Sequence, residues 1–140
     1  LAAARAAGDW HTGLMQFFPY DMDRHWTPMF VALGVKDTDG VELTDDGTLK
    51  AKFGRVSVET PIANIDRTLV TGPHKWFKAV GLRLALTGDG VTFGTNHRRG
   101  LSIEFIERVP KVVGLRDHSS LWVSVADPDG LAEAIAAAKL

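Results

Sequence analysis

From Thr48 to Val70 apolar and polar positions alternate: Leu49, Ala51 and Phe53 fall on one side of an extended chain, Lys50 and Lys52 on the other. After Gly54 the rhythm resumes, with Val56 and Val58 set against Arg55, Ser57 and Glu59. A period of two marks strands with one buried and one wet face, whereas a helix needs apolar spacings of three and four. Gly54 is the natural reversal or bulge point. Pro61 cannot donate to a ladder, so the second strand ends there or runs along an edge. Ile65, Leu69 and Val70 predict a third strand, closed by Thr71-Gly72-Pro73.

The same pattern extends both ways. Val41-Glu42-Leu43 reads as a short strand between two acidic turns, Asp37-Thr38-Asp39-Gly40 and Thr44-Asp45-Asp46-Gly47, and Asp-Gly pairs suit reversals because both residues tolerate positive φ. Downstream, Leu82, Leu84 and Leu86, then Val91-Thr92-Phe93, then Leu101, Ile103 and Phe105, and finally Leu121, Val123 and Val125 predict four more strands. Gly88-Asp89-Gly90 and Asn96 to Gly100 turn the chain between them, and Pro110 to Ser120 reads as a loop. His74 to Val80, HKWFKAV, is a helical turn or an irregular connection, and Leu1 to Ala7 a frayed helical tail. Asp127-Pro128 opens the clearest helix: the carboxylate caps free N–H groups and Pro128 sits where its missing N–H does no harm. Leu131, Ala134, Ile135 and Ala138 lie on its apolar face.

The segment Trp10 to Gly34 has a different character. It holds two of the 4 tryptophans, the 1 tyrosine and all 3 methionines. Leu14 to Phe18 predicts a strand ending at Pro19. Thr27 as N-cap, Pro28 in the first turn and Gly34 past the end predict a short helix.

With 140 residues, 45% of them apolar, the chain is one domain with a core of its own. A net charge of −1 supplies no field that would steer it to nucleic acid or anionic lipid. The absence of cysteine excludes disulfides, thiol catalysis and sulfur-ligated zinc. No apolar run approaches the roughly 20 residues that span a bilayer, and the default location is cytoplasmic. Leu1 in place of an initiator methionine suggests a fragment or a processed form.

Six or seven short antiparallel strands followed by one amphipathic helix is an order that resembles the pleckstrin-homology-like (PH-like) barrel of bacterial proteins. The residues that carry the likeness are VELTDDGTLKAKFG as first hairpin, VETPIANI as strand and corner, and SLWVSVADPDGLAEAI as last strand and plugging helix. TGPHKWFKAVGLRLALTGDGVTFGTNHRRGLSIEF is similar to uncharacterised actinobacterial proteins. The resemblance covers residues 35–140 and implies an α+β fold, an antiparallel barrel of about seven strands closed by the C-terminal helix. Residues 1–34 are then an aromatic-rich N-terminal extension packing on it. In that superfold the loops at the open end bind lipid head groups or peptides, and lipid binders carry basic residues between the first two strands. Here that turn is Thr44-Asp45-Asp46-Gly47, which sets carboxylates against phosphates and disfavours phosphoinositides.

Several groups could carry chemistry. Asp21, Asp23, Arg24 and His25 lie together beside Tyr20 and Trp26. They are either a histidine base held by a carboxylate in an aromatic cavity or a loop anchored by its aromatics with its charges in water. Asp37, Asp39, Glu42, Asp45 and Asp46 miss the EF-hand spacing, and two Asp-containing turns account for them. His11, His25, His74, His97 and His118 form no metal-ligand spacing; a lone proximal histidine can still hold haem without a motif. His97 and His118 fall in predicted loops, which favours surface or loop-satisfied roles. Arg98 and Arg99 form the one dense basic turn, a solvated turn or a clamp for a carboxylate or phosphate. Glycines at 88, 90 and 94 make no dinucleotide fingerprint, and no G-x-S-x-G or P-loop is present.

The reading that follows is a non-enzymatic binding module for a protein partner or a small apolar ligand, with no catalytic residue, metal or cofactor. The alternatives are a small-barrel enzyme using His25 with Asp21 or Asp23 on a hydrophobic substrate, and a haem- or ligand-carrying barrel. Tyr20, His25, Trp26, Phe30, Trp76, Arg98 and Arg99 are the candidate contacts. Phe17, Phe18, Trp26, Met29 and Phe30 would form too large a bare patch for a soluble monomer. They require cover from the same chain, a second copy in a homodimer, or a ligand.

Overall fold

The computed structural model describes residues 16–73, 80–84 and 89–139. The tail over residues 1–7, the connection at 74–79, Trp76 and Leu86 lie outside the described residues. Among the described residues nine strands and two helices are formed: β1 (Gln16–Pro19), α1 (Thr27–Leu33), β2 (Gly40–Leu43), β3 (Thr48–Phe53), β4 (Val56–Pro61), β5 (Ile65–Thr71), β6 (Gly81–Leu84), β7 (Val91–Gly94), β8 (Gly100–Val109), β9 (His118–Val123) and α2 (Pro128–Ala138). The class is α+β. Among the described residues no helix is long and apolar enough to cross a membrane.

The alternating stretch behaves as its pattern requires. β3 and β4 pair antiparallel from Phe53↔Val56 to Thr48↔Pro61, and Leu49, Ala51, Phe53 and Val58 are buried while Lys50, Lys52, Ser57 and Glu59 face water. Gly54 reverses the chain at φ 62°. A Cβ there would stand 2.3 Å from the Leu33 carbonyl oxygen, so the glycine also lets the turn seat against the end of α1. Buried Asp39 ties the same corner: its carboxylate accepts from the Gly54 N–H at 2.9 Å and the Lys36 N–H at 3.2 Å.

The barrel expectation is corrected in two respects. Among the described residues, positions 35–140 supply eight strands, close to the seven implied, but with β1 they form two sheets, β1-β2-β3-β4 and β5-β8-β9-β7-β6, whose ladders do not close into one barrel. The chain therefore crosses between sheets from β4 to β5, by a 3-10 turn at Ile62–Asn64. The pairing is also not wholly antiparallel: β9 inserts between β8 and β7 and runs parallel to β7, with Val91↔Leu121 and Phe93↔Val123 opposite. Alternation reads out faces but not neighbours, and consecutive strands pair often enough to make the simpler order the default.

The two sheets share one core. Val41, Leu43, Leu49, Phe53 and Val58 of the first pack with Phe93, Leu101, Ile103, Leu121 and Val123 of the second. Phe53 stacks on Phe93 across the layers, with centroids 5.2 Å apart and planes 10° apart. A backbone stitch joins the layers as well. Tyr20 bridges Val125 antiparallel, the Asp21 N–H donates to the Ser124 carbonyl at 2.9 Å, and the Ala126 N–H donates to the Pro19 carbonyl at 2.8 Å.

α2 follows the predicted chemistry closely. The Asp127 carboxylate accepts from the Gly130 N–H at 3.0 Å, and Leu131 and Ile135 enter the core. Ala134 is half-buried and Ala138 exposed, so the buried stripe is narrower than the apolar one. Lys139 reaches back to the Ile65 carbonyl on β5. α1 differs in its cap: a 3-10 turn, Arg24–Trp26, runs straight into it. The cap position is Trp26, not Thr27, and the Thr27 hydroxyl donates to the Arg24 carbonyl at 2.8 Å. Gly34 ends the helix at φ 76°, the left-handed conformation that glycine takes without steric cost.

Candidate functional site

Two groups far apart in sequence meet beside the stitch. Residues 20–26 leave β1 and lie along the turn at Thr95–Arg99, between β7 and β8. Polar side chains that sequence reading did not single out position this backbone. Thr95 Oγ1 and Asn96 Nδ2 both donate to the Asp21 carbonyl at 2.8 Å, and the Thr95 N–H donates to Ser124 Oγ at 2.7 Å. The Asp23 N–H donates to the Thr95 carbonyl at 3.0 Å. Asn96 Oδ1 accepts from the Arg98 N–H at 2.8 Å and the Arg99 N–H at 3.3 Å, which shapes the turn and aims both arginines. Thr95, Asn96 and Ser124 are buried. Their only signal in the sequence is polarity directly after an apolar run, which reads equally well as a turn.

Arg98 then spans both acids, with Nη2 3.0 Å from Asp21 and Nη1 3.3 Å from Asp23. Hydrogen bonding to Asp21, then the charges of Asp21 and Asp23, push the Arg98 guanidinium above its ordinary value. Arg99 reaches Asp129 in the first turn of α2 at 2.7 Å. Both guanidinium groups are thus engaged by carboxylates of this chain. The Asp23 carboxylate accepts from the backbone N–H of His25 at 3.1 Å, as the cap of the 3-10 turn. The exposed His25 ring lies edge-on to Trp26, centroids 5.1 Å apart.

The candidate contacts therefore divide. His25 is exposed and Trp26 half-buried, next in sequence to the Asp23 that Arg98 holds, whereas Phe30 is a core residue. Tyr20, expected as a contact for a ligand or partner, is 5% exposed and lies inside the core, its ring edge-on to Phe53 at 5.8 Å. Burial, and secondarily the charge of Asp39, push its phenol well above its ordinary value. Among the described residues its hydroxyl has no hydrogen-bond partner.

Two stability measurements follow. Asn96→Ala should lower unfolding free energy by about 1–3 kcal/mol, because it removes one of two side-chain donors from the part-buried Asp21 carbonyl and the shared acceptor of two N–H groups. Arg98→Ala, which breaks water-exposed ion pairs, should cost less than about 1 kcal/mol. Urea denaturation of the two variants checks the order, and a larger loss at Arg98 would contradict it. Tyr20→Phe removes a buried hydroxyl without a partner and should leave stability unchanged or raise it by up to about 1 kcal/mol. A clear loss in the same experiment would show the hydroxyl to be bonded.

Comparison of the chain with protein-family models, curated proteins and solved structures returns no match.

Proposed function

We propose that this chain is a non-enzymatic binding module that receives a protein partner or a small apolar ligand on the face of α1, beside Arg98. The observation that carries this reading is the character of that face. A surface helix ordinarily turns polar side chains to water. α1, TPMFVAL, has no charged residue and exposes Pro28, Ala32 and Val31, the last at 73%. Trp26, Met29 and Leu33 are half-buried around it. Of the neighbouring charges, Arg98 is held by Asp21 and Asp23, and Arg99 by Asp129.

The accompanying fold reading is PH-like. It is supported by the first-sheet meander, by the passage to a second sheet, and by a helix that follows the last strand and sets Leu131 and Ile135 in the core. The parallel β7–β9 pair departs from it. On this reading the Thr44–Gly47 turn takes no phosphoinositide: the Thr44 hydroxyl donates to the Asp46 carboxylate, and that hydrogen bond foremost holds Asp46 below the usual carboxylate range.

The test is a photoreactive residue at position 31, introduced in the source cells, together with native mass spectrometry of the purified protein. A discrete crosslinked adduct, or a bound small molecule lost in Val31→Asp without a change in melting temperature, supports the reading. A bare monomer with no adduct at position 31 removes it.

A further inference from the structure

We propose that His118 is a proton-operated catch on the loop at residues 110–117, releasing that loop in mild acid. His118 was expected in a loop; it is instead the first residue of β9, opposite Val109, and is 0% exposed. Its ring nitrogens have unlike partners. Nδ1 lies 2.7 Å from the Asp89 carbonyl oxygen, which can only accept. Nε2 lies 3.2 Å from the Val112 backbone nitrogen, which can only donate. The pair of contacts assigns the proton to Nδ1 and the lone pair to Nε2, so the arrangement holds only for the neutral ring. A second proton would point Nε2–H at Val112 N–H, replacing an attraction by a repulsion between two donors.

What the catch holds is specific. Val112 is the point where the loop folds back onto β9, and Val112 and Val113 pack partly against the core. One further side-chain bond closes the loop, from the Lys111 N–H to Asp117 Oδ1 at 3.0 Å. Leu115, at the tip, is 95% exposed. Losing the Val112 bond frees a segment with little else to keep it down.

Among the described residues, the charged groups of this corner are Asp89 from the turn before β7, Arg108 from β8, and Lys111, Arg116 and Asp117 from the loop. Asp89 is buried, and its carboxylate is bonded by Arg108 Nε, by the Ser119 hydroxyl, and by the Ser119 N–H at 3.1 Å. The Arg108 bond foremost, then Ser119, hold it well below the usual carboxylate range, so Asp89 stays charged through mild acid and its turn stays in place. Histidine is the residue type whose charge changes between about pH 5 and 8.

NMR on the 15N-labelled full chain tests this. At about pH 8, long-range 1H–15N correlations should show the Nδ1–H tautomer of His118, with the Val112 amide protected from exchange. At about pH 5.5, Val112 protection, corrected for intrinsic exchange, should fall at least about tenfold relative to Ile103 in β8. An Nε2–H tautomer at the higher pH overturns the proposal. So does a constant ratio of Val112 to Ile103 protection, whether both hold or both fall.

Discussion

Phe53→Ala should cost about 3–5 kcal/mol of unfolding free energy, the range of large aromatic truncations in cores. Phe53 is 1% exposed, and its ring meets both an aromatic of the opposite sheet, Phe93, and the aromatic of the stitch, Tyr20. Truncation removes the transfer free energy of a benzyl group, leaves a cavity between two β-sheets that can close only by moving together, and deletes both ring contacts. Such pairs contribute about 0.5–1.5 kcal/mol beyond their area. Chemical denaturation of Phe53→Ala and Phe53→Leu separates the parts, since leucine refills most of the volume. A loss below about 1 kcal/mol for the alanine variant, nearer the surface range, would show that the sheets do not meet there.

Ile135→Ala should cost about 2–5 kcal/mol by the same physics at the other boundary of the core. Ile135 is 2% exposed and Leu131 0%, one helical turn apart on the stripe that α2 lays against the sheets. The neighbours are strand residues held by ladders on either side, so the site relaxes little. Ala138→Ser on the exposed flank is the control and should fall within about 0.5 kcal/mol of the parent. A thermal or urea series that found the two equal would detach α2 from the core.

How much of this was legible depended on whether a residue's environment is local. β3 and β4 were readable because each has one wet face, which leaves a period of two in the sequence. β7 is buried at all four positions, so its apolar run gave a strand but no face, and nothing in it pointed to a parallel partner. α2 carried its own cap and stripe within a few residues. The start of β9 reads as loop because His118, Ser119 and Ser120 are polar. Their polarity is satisfied by Asp89, 29 and 30 residues away for the first two, a distance no window spans. Tyr20 and Phe30 illustrate the same limit: aromatic density announced that something must be covered, but not which rings turn inward. Arg98 and the pair Asp21 and Asp23 were each noticed, and only the fold shows that they neutralise one another.

The stitch at Tyr20 and Val125 also bears on how the chain reaches its fold. β1 to β4 pair between near neighbours and can form soon after they are made, whereas Tyr20 must wait for Val125, a partner that appears only after β9. Contacts of such long sequence separation carry a large loop-closure cost and come late. During synthesis the first sheet therefore waits with Tyr20 and Phe53 unmet by the second, an apolar face of the kind that associates with other chains while folding is incomplete. The vulnerable interval is the time taken to make residues 62–125. Changes that slow the second half of the chain should lower the yield of folded protein even where the finished molecule is no less stable.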